Sequence, residues 1–246
     1  ARAAVAEATD WGADRLYLKG DLTHHSRPDD WDRVARFLDE LELPHHLILG
    51  NHDVQYRKQI PPADAMARIG HQRQRLHIVD HPGLRVILVD FSKDTNTTGI
   101  IGAEAEQVLE AARGDMPVLL ATHFHFHRSL VPWFWPLGIG YSSGRRFLEQ
   151  LRQVNPRLVI TSGHTHRNRA YTYGRIPITE VGSPKDYPGV WGEYTIYEGG
   201  LVQMVRRVAE PDALAWTDHT RRAVGGVWGL WSPGTADQRS LSHRWD

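Results

Sequence analysis

The chain has 246 residues, with 29 Lys plus Arg against 29 Asp plus Glu and no cysteine. Zero net charge offers no global steering toward nucleic acid or an acidic membrane surface. The lack of thiols excludes disulfides and thiolate metal sites, so any metal must be held by His, Asp and Asn.

The length suits one sizeable core, read here as a domain over 1–208 with a C-terminal extension, 209–246, packing on it. In chain order, Ala-rich text from Ala1 to Thr9 reads as the end of a helix, and Leu16-Tyr17-Leu18 is an apolar run that stops at Gly20-Asp21. Ser26-Arg27-Pro28-Asp29 is a helix-start signal. Trp31, Val34, Ala35 and Leu38 follow at helical spacing, which predicts a core-facing helix ended near Pro44. Leu47-Ile48-Leu49 runs into Gly50-Asn51-His52-Asp53, and the stretch from Arg57 to Gly70 reads as a loop with a short helix behind Pro61-Pro62. Leu84 to Asp90 is apolar enough for a buried strand, and Gly102 to Arg113 is a helix. Val118 to Ala121 is a strand stopping at Thr122-His123.

From His123 to Ser143 the text is rich in aromatic residues, Pro and Gly, which suits a long functional loop. Ser143 to Val154 is helical by period, and Leu158-Val159-Ile160 leads to Gly163-His164-Thr165-His166. Short strands follow at 170–173, 176–179, 193–197 and 201–208, the last two joined as a hairpin at Gly199-Gly200. The tail with Trp216, Trp228 and Trp231 is expected to wrap the body. No run of 18 apolar residues is present to span a membrane, and a cytoplasmic location is the default expectation.

Four apolar runs thus end in residues able to hold a metal, and strand ends are where layered α/β proteins gather their chemistry. In order, the motifs Gly20-Asp21, Gly50-Asn51-His52-Asp53, His123 and Gly163-His164-Thr165-His166 resemble the calcineurin-like metallophosphoesterase superfamily, nearest in pattern to class III cyclic-nucleotide phosphodiesterases. The first motif of that superfamily, D-x-H, is missing, since no Asp here is followed two positions on by His. A strand carrying it would belong just upstream of the first helix. The chain is therefore expected to be an N-terminally truncated piece of a longer protein.

The resemblance implies an α/β/β/α sandwich of two mixed sheets with flanking helices, expected here to lack its first strand. It implies two divalent ions (Mn, Fe or Zn) about 3.5–4 Å apart that clamp a phosphoester and activate water. By the same resemblance Asp21 bridges both ions, Asn51, His123 and His164 complete the second, and His166 belongs to the first. The other ligands of that first ion would be the absent Asp and His, so one ion or none, and impaired turnover, are expected. His52 is implied as general acid, with Asp53 orienting its imidazole.

Among the remaining histidines, His24 and His125 are candidates for substrate contact, while His45, His46, His71, His77 and His81 read as surface or structural residues. The expected substrate is a small phosphodiester or phosphomonoester such as a nucleotide. A lipid-linked phosphoester, or a scaffold kept for binding alone, is the rival reading. The segment Trp133-Phe134-Trp135 could serve the former as a lid or an apolar contact.

Overall fold

The computed structural model describes residues 1–55, 60–130 and 135–245. Its elements are α1 (Arg2–Asp10), β1 (Leu16–Lys19), α2 (Pro28–Asp39), β2 (His45–Ile48), α3 (Asn51–Val54), α4 (Pro62–Arg68), β3 (Leu76–His81), β4 (Leu84–Val89), α5 (Glu104–Ala112), β5 (Val118–Thr122), α6 (Tyr141–Val154) and β6 (Leu158–Ser162). They continue with β7 (Arg169–Tyr173), β8 (Ile176–Glu180), β9 (Val190–Tyr197), β10 (Gly200–Arg207), α7 (Pro211–Thr220), α8 (Val227–Trp231) and β11 (Ser240–Arg244).

The near-continuous apolar runs become the centre of a six-stranded sheet of order β3-β4-β5-β6-β8-β7, because only a strand buried on both faces accommodates such text. Strands β4, β5, β6 and β8 are mutually parallel, and β3 and β7 close the edges antiparallel. Register aligns Ile87, Leu120, Ile160 and Ile178 in one row, and all four are fully buried against α5 and α6. One residue along, alternation turns Val86, Leu119 and Val159 to the opposite face, where they meet Leu201 and Trp245 of a second layer. Helix α2 covers the far side of that layer, its Trp31, Val34 and Leu38 packing on Leu47 and Leu49. The result is an α/β fold of two stacked sheet layers flanked by helices.

The second layer departs from the expected single sheet. It consists of a parallel pair, β1-β2, and an antiparallel triple, β11-β10-β9, with no pairing between β1 and β9 among the described residues. Each leaves an open edge on a cavity of about 1270 Å³, floored by Val86, Leu119 and Ala121 of the six-stranded sheet. Helix α1 straps this cavity from above. Its Glu7 accepts hydrogen bonds from Trp191 Nε1 of β9 at 3.3 Å and from the Ala209 N–H at 2.6 Å, and its Arg2 pairs with Glu40 beyond α2.

Two strands escaped the sequence reading. Strand β3 carries His77, Asp80 and His81 among its apolar residues and is half exposed as an edge strand, so it lacks the apolar run that marks β4. Strand β11, polar and alternating, adds to β10 in register from Gly200↔Arg244 to Met204↔Ser240, which makes the end of the tail part of the sheet. Trp133 and Phe134 lie outside the described residues, whereas Trp135 is exposed. No helix among the described residues is long and apolar enough to cross a membrane.

Candidate metal centre

Strands β1, β2, β5 and β6 deliver Asp21, Asn51, His123 and His164 from the turns at their C-terminal ends. Three residues of these turns, Asp21 (φ 54°), His164 (φ 66°) and His166 (φ 52°), sit in the left-handed region that side chains other than Gly avoid, at a cost of roughly 1–2 kcal/mol each. Gly20 and Gly50 let the first two turns approach. A Cβ on Gly20 would strike the Gly50 backbone, and one on Gly50 would strike the Asp21 carboxylate and the His123 ring. The backbone is thus bent, and thinned to glycine, in order to crowd these side chains together.

The crowding has a chemical signature. His123 Nδ1 lies 2.8 Å from the Lys19 carbonyl, and His164 Nε2 lies 3.0 Å from the Leu137 carbonyl. A carbonyl only accepts, so each of those nitrogens carries the ring proton, leaving His123 Nε2 and His164 Nδ1 as bare lone pairs. These two lone pairs face each other at 3.1 Å. Asn51 Oδ1 is 3.1 Å and Asp21 Oδ1 3.4 Å from the same His123 nitrogen. Asn51 Nδ2 donates to Gln55 Oε1, which turns the amide oxygen inward. Four acceptors converge with no proton to share, an arrangement that a cation relieves.

Electrostatics agree with neutral imidazoles. Burial, reinforced by His123, drives His164 down to about 3, and burial likewise lowers His123. Asp21 is partly buried, which by itself would raise its pKa, yet His123 and His52 hold it below the usual carboxylate range. Asp21, His123 and His164 form a group with all ligand atoms within 4.8 Å of one another, the chemistry of a divalent cation site.

The other predicted residues take several places. His166 stands outside that group, with Nδ1 2.7 Å from Asp186 Oδ2. His52 has Nδ1 2.9 Å from the His24 carbonyl, and its backbone N–H donates to Asp21 Oδ1 at 3.0 Å. The expectation that Asp53 orients His52 is corrected. Asp53 is buried and accepts from the Gly50, Leu22 and Thr23 N–H groups and the Thr23 hydroxyl, which ties the first two turns together. Successive residues in a helical turn such as α3 point about 100° apart, so Asp53 is buried while His52 stays partly exposed. Burial and the nearby Asp21 push the Asp53 carboxyl up to about 7.

His24 stacks on His52 with centroids 4.9 Å apart and lines the cavity. His125 is only 4% exposed and stacks behind His164 at 5.7 Å, which removes it from the open side. Sequence reading passed over Asp186 and Lys19. Lys19 Nζ donates to Thr161 Oγ1 and the Ser162 carbonyl across the cavity, and burial pulls its pKa down to about 7. Neither residue stands in a motif; only the folded chain brings them to the site.

Comparison with known proteins follows the same lines. A probable cyclic nucleotide phosphodiesterase of Synechococcus sp. is 26% identical over 174 residues, covering 70% of this chain and 64% of that protein. The glycerophosphodiester phosphodiesterase of Enterobacter lignolyticus is 25% identical over 183 residues, covering 68% of this chain and 61% of that protein. The chain therefore spans less than two thirds of the length of these curated relatives. In fold, it superposes on a dimetal phosphatase from Danio rerio with a TM-score of 0.58 at 14% identity, covering 84% of this chain and 85% of the other. It matches Plasmodium GAP50 with the same TM-score at 9% identity, covering 85% and 79%. The profile of the calcineurin-like phosphoesterases matches residues 4–168, and the chain belongs to that family.

Proposed function

We propose that the protein is a metal-dependent hydrolase of phosphodiesters or phosphomonoesters, with a nucleotide as first choice of substrate, and that residues 1–246 by themselves are impaired. One observation carries the first part: four acceptor atoms from four separate turns, with their protons fixed elsewhere, converge on one point. Asp21, Asn51, His123 and His164 would hold one cation, and Asp21 with His166 would contribute to another. When bound, such cations supply positive charge to phosphoryl oxygens and lower the pKa of water.

The chain's own residues do the rest. His52 Nδ1 lies 2.9 Å from the His24 carbonyl, and the ring serves the leaving-group oxygen as proton donor through Nε2 only in its doubly protonated form, with a proton on each nitrogen. Asp53 holds the Gly20–Thr23 and Gly50 turns in register, so that Asp21 and His52 keep their spacing. His24, stacked on His52 at the cavity, is the side chain placed for substrate, and His125 is the support behind His164.

The open edges of β1 and β9 support the second part. An upstream strand entering the cavity beside β1 and leading into α1 would complete a right-handed β-α-β unit and emerge at its C-terminal end next to His166. To test both parts, residues 1–246 and the same chain extended by its encoded upstream segment are compared for bound metal and for hydrolysis of bis(p-nitrophenyl) phosphate and cyclic nucleotides with added manganese. The expected result is at most one tightly held ion and turnover lowered by more than about 100-fold in the shorter form, since even residues behind metal ligands are worth 10–100-fold. Two tight ions in residues 1–246 would defeat the impairment, and no ion in either form would defeat the metal reading. Exposed Leu130 and Trp135 support a lipid-linked substrate as second reading, favoured by turnover of detergent-dispersed phosphoesters in preference to cyclic nucleotides.

A further inference from the structure

Asp186 lies in the segment between β8 and β9, 20 residues from His166 in sequence, and its Oδ2 is 2.7 Å from His166 Nδ1. Both side chains are 17% exposed, and Asp186 Oδ1 is buried with no hydrogen-bond partner among the described residues. That segment is gripped by the C-terminal helices on either side of Asp186. Trp216 of α7 donates through Nε1 to the Lys185 carbonyl at 2.7 Å. Trp228 of α8 donates through Nε1 to the Tyr187 carbonyl at 3.1 Å, and the Tyr187 N–H donates to Thr220 Oγ1 at 2.8 Å. The Trp228 ring also meets the His166 ring edge-on, with centroids 6.3 Å apart.

These contacts have one consequence for His166. A carboxylate accepts only, so it holds the imidazole proton on Nδ1, keeps the lone pair on Nε2 and fixes the ring in rotation; a carboxylate hydrogen-bonded behind a metal-binding histidine acts in this way. A neutral imidazole free in water prefers the opposite tautomer. We propose that Asp186 is the positioning residue of His166, and that α7 and α8 are the brace that sets Asp186 in place. The tail after residue 208 then serves the site without touching the reaction. The purpose of this arrangement rests on the metal-site reading above, but the tautomer it dictates does not need a metal.

The test is ¹⁵N NMR of the imidazoles of the metal-free protein at alkaline pH, followed by Mn(II) titration of the upstream-extended form. His166 is expected as the Nδ1–H tautomer. Asp186→Ala should convert it mainly to Nε2–H, and Asp186→Asn should restore Nδ1–H, because the amide oxygen still accepts. The double variant Trp216→Phe, Trp228→Phe should convert His166 in part, while His123 and His164 keep their tautomers and report an intact fold. Asp186→Ala should also weaken the Mn(II) ion held by His166 by about 10–100-fold and spare the one held by Asn51, His123 and His164. An Nε2–H tautomer in the unaltered protein, or one indifferent to Asp186→Ala, would overturn the proposal. A tautomer that responds while both Mn(II) affinities stay put would leave Asp186 as positioning residue and fail His166 as a ligand.

Discussion

The two sides of the site differ in how they are finished. On the side of β2, β5 and β6, each metal-ligand candidate is backed by a fixed partner: Lys19 O for His123, Leu137 O for His164, Gln55 for Asn51, and the His52 N–H for Asp21. On the side of β1 and β9 the sheet is open, and His166 stands over the cavity with Asp186 as its support. The contrast teaches that a metal cluster can be fully prepared on one flank by its turns alone. On the readings proposed above, the other flank relies on an added strand beside β1 and on the C-terminal brace behind Asp186.

Breaking the finished side should give the largest effect. Asp21→Ala removes the one carboxylate from the acceptor cluster. In the upstream-extended form we expect loss of bound metal and turnover lowered by more than about 10³-fold, because a catalytic cation is worth several kcal/mol and each 1.36 kcal/mol is tenfold. Metal analysis alongside initial rates checks it, and activity within tenfold of the parent would count against the cluster.

His52→Ala separates holding from turnover. Metal content should stay constant while kcat falls by about 10²–10⁴-fold, the range for loss of a positioned acid, most steeply for substrates with poor leaving groups. Parallel loss of metal would make His52 a structural part instead.

Acid should sharpen the comparison further. His164, held near 3, and His123 and His125, lowered by burial, all have folded pKa values below the ordinary value near 6.5. Between the folded and unfolded values the unfolded chain binds more protons, so stability rises with pH across that window and is lost as pH falls from about 6.5 toward 3. Asp53, raised to about 7, works in the opposite sense, since its folded form takes up a proton first. Asp90, also raised by burial, acts with Asp53, but His24, His46, His71, His77 and His127 are lowered as well, so the imidazoles outnumber the carboxyls and leave a net loss, expected as a Tm at pH 5 at least about 2 °C below that at pH 7 in the metal-free protein. His164→Asn should flatten the dependence; an unchanged slope would remove these rings as its cause.

The smallest expected effect lies on the open side. Glu7→Ala frees the Trp191 indole and the Ala209 N–H that tie α1 across the cavity, at a cost of about 1 kcal/mol or a Tm drop of about 2–4 °C. In the upstream-extended form the drop should shrink, because a strand pairing with β1 and β9 would carry the load. An equal drop in both forms would argue against such a strand.

Much of this was legible in the chain itself. Leu84 to Asp90, Val118 to Ala121 and Leu158 to Ile160 read as buried strands because apolar residues on both faces admit no other placement, and they form β4, β5 and β6. Strands β3 and β11 did not declare themselves, since an edge strand half in water carries His, Asp and Ser as readily as Val. At the site, the strand-end motifs placed Asp21, Asn51, His123 and His164 in one cluster. The partner of His52 was misread, because adjacency in Asn51-His52-Asp53 says nothing about which way a helical turn points each side chain.

The sequence by itself determined which atoms can bind a cation and that they end strands, for ligand chemistry and strand pattern are local properties. Only the tertiary structure decided where each imidazole proton sits, that Asp186 stands behind His166, and that the second layer parts between β1 and β9. Those are settled by groups tens or hundreds of residues apart, such as Lys19 with His123 and Trp228 with Tyr187, which meet only when the layers close.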